Sequence, residues 1–515
     1  MYNIHNTEKE VLFVLKRIFC ALMALMLLGI APGFAEETEA PDFSMAGFDD
    51  TEYRKWEDSL FFDRLETITG VTFTYHQYTK EADWQAYKNS LEKGGEMADV
   101  LFKAGLTTSE CIRLYEKGVL VDLKPYLEAN CPNLWAYLSQ NPDAMDAITL
   151  PGGQIVALPY ITETPLQNYI WVNTVWLKRV GKEMPTNAQE MEEVLSAFRD
   201  QDPNRNGKDD EVPLGFMGPF DLKFLAHAFG LVANDYNIFV EDNQVKYLAL
   251  DENFRPFVEW CRKLYAEGLL EDDGFMITTS MRSQRVSGAE ETPMYGMIIT
   301  PMAQDTFRVD YANDYTIMMP LEYDGKRVYR DFTGNVLRGT FAVTTSCDDV
   351  EKALGWVDYL YSPEGNILTT VGMENESFYY NPDGTWSLTD VTASNTFFSV
   401  TDLISGGATT PGMLNDDFQR KYADNAKLQE TIEKQDEMKE YLVMPYPYYH
   451  LTEEEAAEVA PLQMELGAYV DTMMGQFIRG DAELTDETWA AFENTLREKG
   501  VDTFLAFWQK IFEAH

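Results

Sequence analysis

VTFTYHQYTKEADWQAYKNSLEKGGEMADVLFK, residues 71–103, is where the architecture can be read. Val71 to Tyr78 alternates in the two-residue period of a strand. Asp83 to Lys93 reads as a helix, and Ala98 to Lys103 as a short buried strand. Upstream, Trp56, Leu60, Phe61 and Leu65 recur at helical spacing within Tyr53–Thr69. Downstream, Ser109 to Lys117 is helical and stops at Gly118. Alternation of this kind predicts an α/β layer structure around a largely parallel sheet.

A second α/β pattern starts at Asn168–Val172 and continues through Leu222–Phe229, Phe254–Glu267, Gly296–Ile299, Val336–Thr344 and Val350–Tyr361. Within it, Thr186 and Asn187 are the expected caps of the helix Ala188–Arg199, with Glu190 as the capping-box partner of Asn187. The last third is mostly helical: Asp417–Tyr441, Thr452–Ile478, Thr485–Lys499 and Asp502–Phe512.

The helix Ala188–Arg199 runs into DPNRNGKDDEVP, residues 202–213. Asp202, Asn204 and Asn206 place short oxygen-bearing side chains at alternate positions, and Gly207 permits the reversal that lets them converge. That is the opening of a calcium loop, since calcium gathers six to eight oxygens at roughly 2.3–2.6 Å. An EF-hand would add a glutamate at position twelve, but Pro213 stands there and the carboxylates come earlier. The expected ligands are Asp202, Asn204, Asn206, the Lys208 carbonyl, Asp210 and Glu211, holding a structural Ca2+.

Lys16 and Arg17 precede an apolar run, Ile18 to Ile30, and Gly33 and Ala35 supply small residues at minus three and minus one. This predicts a secretory signal peptide over 1–35 and an exported, soluble chain with no lipoprotein cysteine. Removing 1–35 takes away three positive and two negative charges, moving the formal charge from −44 to −45. So acidic a chain is not expected to bind nucleic acid or anionic membranes. Cys111, Cys131, Cys261 and Cys347 lack metal spacing, and four cysteines allow three disulfide pairings or buried free thiols. About 480 mature residues exceed what one core holds, so two or more domains are expected. No GxSxG elbow, HExxH helix, P-loop or dinucleotide fingerprint occurs.

The block Trp171–Pro213, with GQIVALP at 153–159, CPNL at 131–134, GWVDYLYSPEG at 355–365, LTEEEAAEV at 451–459 and FIRG at 477–480, resembles the family 1 extracellular solute-binding proteins of ABC importers. The similar branch is the long, calcium-containing one that includes alginate and oligosaccharide binders. The resemblance implies a hinged two-lobed α/β fold of the periplasmic-binding-protein type II class with an extended helical C-terminal part. One lobe is expected from 36–160 and 326–372, the other from 161–325 and 373–515. It implies a monomeric receptor that traps an oligosaccharide between its lobes and delivers it to membrane permease subunits, without catalysis. A secreted glycoside hydrolase or polysaccharide lyase is the alternative. Where the family has Gly-x-Glu-Gly, this chain has Gly372-Met373-Glu374-Asn375.

Sugar sites combine aromatic platforms with converging polar side chains. Near the expected lobe crossings these are Trp84, Tyr160, Tyr169, Trp171, Phe220, Tyr379 and Tyr380, with Glu163, Asp221 and Arg338 as polar partners. Arg338 stands out because it interrupts an apolar strand run.

Overall fold

Alternation along the strands divides the first sheet between two cores. Phe43, Met45, Val100, Phe102, Phe341 and Val343 join one, while the intervening Ala46, Leu101 and Ala342 join the other. The computed structural model describes residues 40–49, 55–162, 167–278, 281–282, 285–286, 294–307, 309–331, 336–389, 410–414, 416–422 and 426–514. The expected leader over 1–35 and Glu163 lie outside these residues. The fold below is that of the unit Phe43–His515.

The first sheet has six strands, in the order Gly412–Leu414, Leu158–Thr162, Val336–Val343, Val100–Phe102, Phe43–Phe48 and Phe73–Tyr78. Pairing is parallel except where Val336–Val343 runs antiparallel to both of its neighbours. The sheet is therefore less uniformly parallel than the β–α–β–α pattern suggests, because this strand enters from the far side of a long excursion. The second sheet, Tyr315–Ile317, Tyr169–Asn173, Tyr295–Thr300 and Val212–Gly215, has only its last pair parallel. The edge strand Gly412–Leu414 belongs to the first sheet, although the expected division puts 373–515 in the other half. Its Met413 carbonyl is held by the side-chain amide of Asn366, which ties it there.

The helix Ala188–Asp200 carries the expected Asn187 cap, whose Oδ1 accepts the Glu190 N–H at 3.0 Å. Glu190 reaches one residue further back than a capping box requires. It accepts the Thr186 N–H at 2.8 Å and hydroxyl at 2.7 Å, because that residue offers two donors. Asp417–Tyr441 is not one helix. Asp416–Gln419 and Ala426–Lys439 are separate, and Phe418 in the first helix and Tyr422 just after it stack on Trp386 at 4.7 and 4.2 Å. The C-terminal helices Glu453–Arg479, Asp486–Glu498 and Val501–Ala514 form as expected, the first opened by a Thr452–Glu455 capping box. Their Leu466, Val470, Met474, Phe477 and Phe504 bury into the core around the second sheet. The C-terminal helices therefore enlarge one half of the molecule.

Candidate functional site

The strand Val336–Val343 places the first functional side chain by being irregular. Val336 and Leu337 pair with Ile161 and Tyr160, yet Phe341 pairs with Leu158. Arg338, Gly339 and Thr340 thus stand opposite Pro159 alone, which has no N–H for the ladder. Extra residues make a bulge, and a bulge re-aims a side chain. Gly339 supports it at φ 71°, a left-handed conformation that glycine adopts freely. Its carbonyl accepts the Leu106 N–H at 2.9 Å, and that of Thr340 accepts the Ala104 N–H at 3.0 Å. The bulge thereby fixes the loop leading into the helix Thr108–Glu116.

That helix opens with a full capping box between Thr107 and Glu110. Glu110 is also paired with Lys88 at 2.7 Å, with both side chains nearly buried. Thr107, Thr108 and Ser109 are consequently held rigidly at the helix's N-terminal end.

The segment Leu442–Leu451 packs on the core around the second sheet. Its Pro445 carbonyl accepts the Val240 N–H at 2.7 Å, and the Tyr446 hydroxyl donates to the Trp508 carbonyl at 2.8 Å. It then reaches across. The Arg338 guanidinium lies 3.3 Å above the Tyr448 ring. The Thr108 hydroxyl is 3.2 Å from the Tyr448 hydroxyl and 3.4 Å from His450 Nδ1. His450 Nε2 lies 2.8 Å from the Ala147 carbonyl, so that nitrogen carries the proton and donates.

Between these walls is a cavity of about 390 Å3, lined by Thr107–Ser109, Val336–Arg338, Asn234–Tyr236, Tyr446–Tyr449, Leu451, Ala456 and Trp508. Its aromatic faces are ordered, with Tyr236 stacked on Trp508 at 5.4 Å and Tyr446 edge-on to the same indole at 5.3 Å. A second cavity of about 30 Å3 shares Asn234 and Asp235 and includes Phe220 and His227. The volume of the first lies within the ~300–1,000 Å3 of small-ligand sites.

Burial pushes the His450 imidazole down to about 4, with Arg338 acting in the same direction. An unfolded histidine titrates near 6.5. The neutral ring therefore stabilises the fold fully above about 6.5, and this contribution is lost as pH falls toward 4. Relative to His450→Gln, the parent protein should lose stability between pH 7 and pH 4.5. Urea denaturation at the two pH values measures the gap, and a gap independent of pH contradicts the assignment.

Of the residues expected at a sugar site, Arg338 lines the large cavity and Phe220 the small one. Trp84 is buried, its indole N–H donating to the Ala104 carbonyl at 3.0 Å. Trp171 is wholly buried and donates to the Thr300 carbonyl at 3.0 Å, because its strand is covered on both faces. Tyr169 is buried against Tyr329, stacked at 6.2 Å. Tyr160 is half-buried opposite Leu337, and Tyr379 and Tyr380 are exposed on a hairpin. Asp221 is buried, accepting the Met217 N–H at 2.6 Å and the Asn168 amide at 2.7 Å, and burial lifts its carboxyl to about 6. It organises a loop. Three of the tyrosines that line the cavity, Tyr446, Tyr448 and Tyr449, sit in PYPYYH, residues 445–450, a proline-stiffened aromatic run that is the sequence signal for this wall. The four cysteines are free and buried.

In the loop 202–213, Asp202, Arg205 and Gly207 have φ of 44°, 62° and 73°, folding the oxygens inward. The Asp202 carboxylate accepts the N–H groups of Asn206 and Gly207, both at 3.1 Å. Asn204 Oδ1 accepts the Asn206 N–H at 2.9 Å, and Asn206 Oδ1 the Lys208 N–H at 2.8 Å. The side-chain amides of Asn204 and Asn206 both reach Asp210, at 3.0 and 2.9 Å. Glu211 Oε1 is buried without a partner. Burial, then the nearby Asp202 and Asp210 charges, raises the Glu211 pKa. Among the described residues no three His, Cys, Asp or Glu side chains group as a metal site. The loop's donor set is instead mixed carboxylate and amide, a hard-oxygen chemistry that suits calcium, and the orphaned Glu211 oxygen fits a cation nearby.

A model of the bacterial extracellular solute-binding proteins matches residues 46–367. FusA of Streptococcus pneumoniae serotype 4, a fructooligosaccharide ABC transporter substrate-binding protein, is 25% identical over 491 residues, covering 89% of this chain and 87% of FusA. The structure of S. pneumoniae FusA with kestose superposes with a TM-score of 0.73 at 22% identity, over 92% of this chain and 99% of that one. An extracellular solute-binding protein from Bifidobacterium longum subsp. infantis gives 0.76 at 20% identity, over 92% and 98%. The alginate-binding protein AlgQ2, in a structure without calcium ion, gives 0.69 at 20% identity, over 92% and 97%. These likenesses establish the mixed α/β binding-protein fold, helical C-terminal part included. The matched region takes in the bulged strand and the Thr107–Ser109 wall of the cavity, and the chain belongs to the bacterial extracellular solute-binding proteins and is a binding protein, not an enzyme.

Proposed function

We propose that this protein is the carbohydrate-capturing component of an ABC importer, closing around an oligosaccharide and presenting it to membrane permease subunits. One observation carries the reading: a single cavity walled from both halves by tyrosines, an indole and Arg338. Aromatic faces suit sugar rings, and hydroxyl and amide groups from Thr108, Ser109 and Asn234 suit their hydroxyls. A ligand touching both walls stabilises the closed arrangement through contacts the open one lacks. The two halves act as hinged lobes, one on each sheet, and the protein works as an exported monomer. FusA and AlgQ2 support the carbohydrate class. Titration calorimetry against a panel of oligosaccharides should show saturable one-to-one binding with the sugar recovered intact. Absence of binding across the panel, or products in the recovered sugar, would overturn it.

The loop 202–213 holds Ca2+ through Asp202, Asn204, Asn206, the Lys208 carbonyl, Asp210 and Glu211. An EF-hand mutant exists among the solved FusA structures, which supports a metal at this kind of loop. When bound, the ion neutralises carboxylates that otherwise repel one another. Chelation should lower the melting temperature by several degrees, since a bound ligand stabilises by RT ln(1 + [L]/Kd). Asp202→Ala should melt at the chelated temperature whether calcium is present or not. A melting curve that ignores the chelator sinks the metal.

A further inference from the structure

Among the described residues, Arg338 is a cation without a counterion. Its guanidinium lies over the Tyr448 ring, and its Nη1 is 3.5 Å from the Ala147 carbonyl, a marginal contact. None of the ion pairs among the described residues includes it. The other charged residue in the cavity wall, Asp235, is occupied by Arg330 at 2.7 Å. Burial holds the Arg338 guanidinium below its ordinary pKa, and the groups nearest in charge are the hydroxyls of Tyr448 and Tyr236 and the Cys111 thiol, none of them a carboxylate.

A guanidinium carries five N–H donors in a rigid fork. Stacking on Tyr448 occupies its face and leaves the donor edge for partners in its own plane. A charge withdrawn from water needs an anion or a full set of hydrogen bonds, and the described residues give this one neither. A carboxylate matches the fork with two parallel hydrogen bonds. The same wall carries the hydroxyls of Thr108 and Ser109. Resting on the carbohydrate reading above, we propose that the cavity selects an acidic oligosaccharide, one carboxylate of which docks on the Arg338 fork while its rings lie against the tyrosines. The protein's own negative charge works against such a ligand at a distance, so recognition comes from this short-range pairing rather than from steering.

The test is calorimetric titration of the full chain with a panel of uronate-containing and sialylated oligosaccharides, each beside its methyl ester, and with neutral fructo-, galacto- and xylo-oligosaccharides. The tightest ligand should be an acid whose methyl ester binds at least tenfold more weakly. In Arg338→Gln, with folding checked by its melting curve, that difference should vanish while the ester still binds. A neutral sugar as tightest ligand, or an ester equal to its acid, overturns this inference and leaves the carbohydrate reading standing. No binding by any member overturns both. The acid-against-ester comparison in the parent protein decides the matter even if the variant fails to fold.

Discussion

Replacing Glu271 with alanine should destabilise the protein by about 3–5 kcal/mol, the range for breaking a buried pair by removing one partner. Glu271 is 2% exposed and holds four groups at once. The Tyr295 hydroxyl donates to it at 2.7 Å, Arg285 at 2.5 Å, and the Phe216 N–H at 3.3 Å. Arg282, itself 4% exposed, approaches at 3.4 Å. Deleting the carboxylate strands a buried guanidinium and a buried phenol beside the second sheet. Arg285 keeps Asp273 at 2.6 Å, so the loss centres on Arg282 and Tyr295. Urea denaturation measures the change. The double variant Glu271→Ala/Arg282→Ala should recover part of it, because the stranded cation is gone. A loss under about 1 kcal/mol would mean that water reaches the cluster.

Gly339→Ala should cost about 3 kcal/mol and weaken ligand binding more than tenfold. A left-handed φ costs an alanine roughly 1–2 kcal/mol, and forcing a backbone apart adds about 1–3. Here φ is 71°, and an added Cβ would sit 2.0 Å from the Leu106 carbonyl oxygen. That oxygen belongs to backbone, which cannot swing aside as a flexible side chain would. Relief requires moving the loop into Thr107 or flattening the bulge, and either displaces Arg338 from Tyr448. Stability and affinity should therefore fall together. A variant that melts lower yet binds as tightly would show that the bulge does not aim Arg338.

Much of the scaffold was legible because apolar periodicity and capping chemistry are local. The helices at 188–200, 453–479 and 486–498 follow from an N-cap and an amphipathic stripe. The short edge strands were not legible, since Gly412–Leu414 is a strand only because Leu158–Thr162 lies beside it. The site divides in the same way. Arg338 was visible as a charge breaking an apolar run, and the structure supplies its reason in the bulge. Trp84 and Trp171 looked like platforms because an aromatic side chain carries no mark of which side will be covered. Their indole N–H groups end on the Ala104 and Thr300 carbonyls. Tyr448 lines the cavity against Thr108 and His450 holds the Ala147 carbonyl beside it, contacts spanning more than 300 residues of chain, which no local pattern encodes.

The central claim is that one ligand is held from both sides at once. Backbone hydrogen exchange with and without a bound oligosaccharide tests it directly. Slowed exchange at both Thr107–Ser109 and Tyr446–Leu451 is the predicted result, with Val336–Arg338 protected alongside. Protection confined to one wall, the other exchanging as in the free protein, would contradict it.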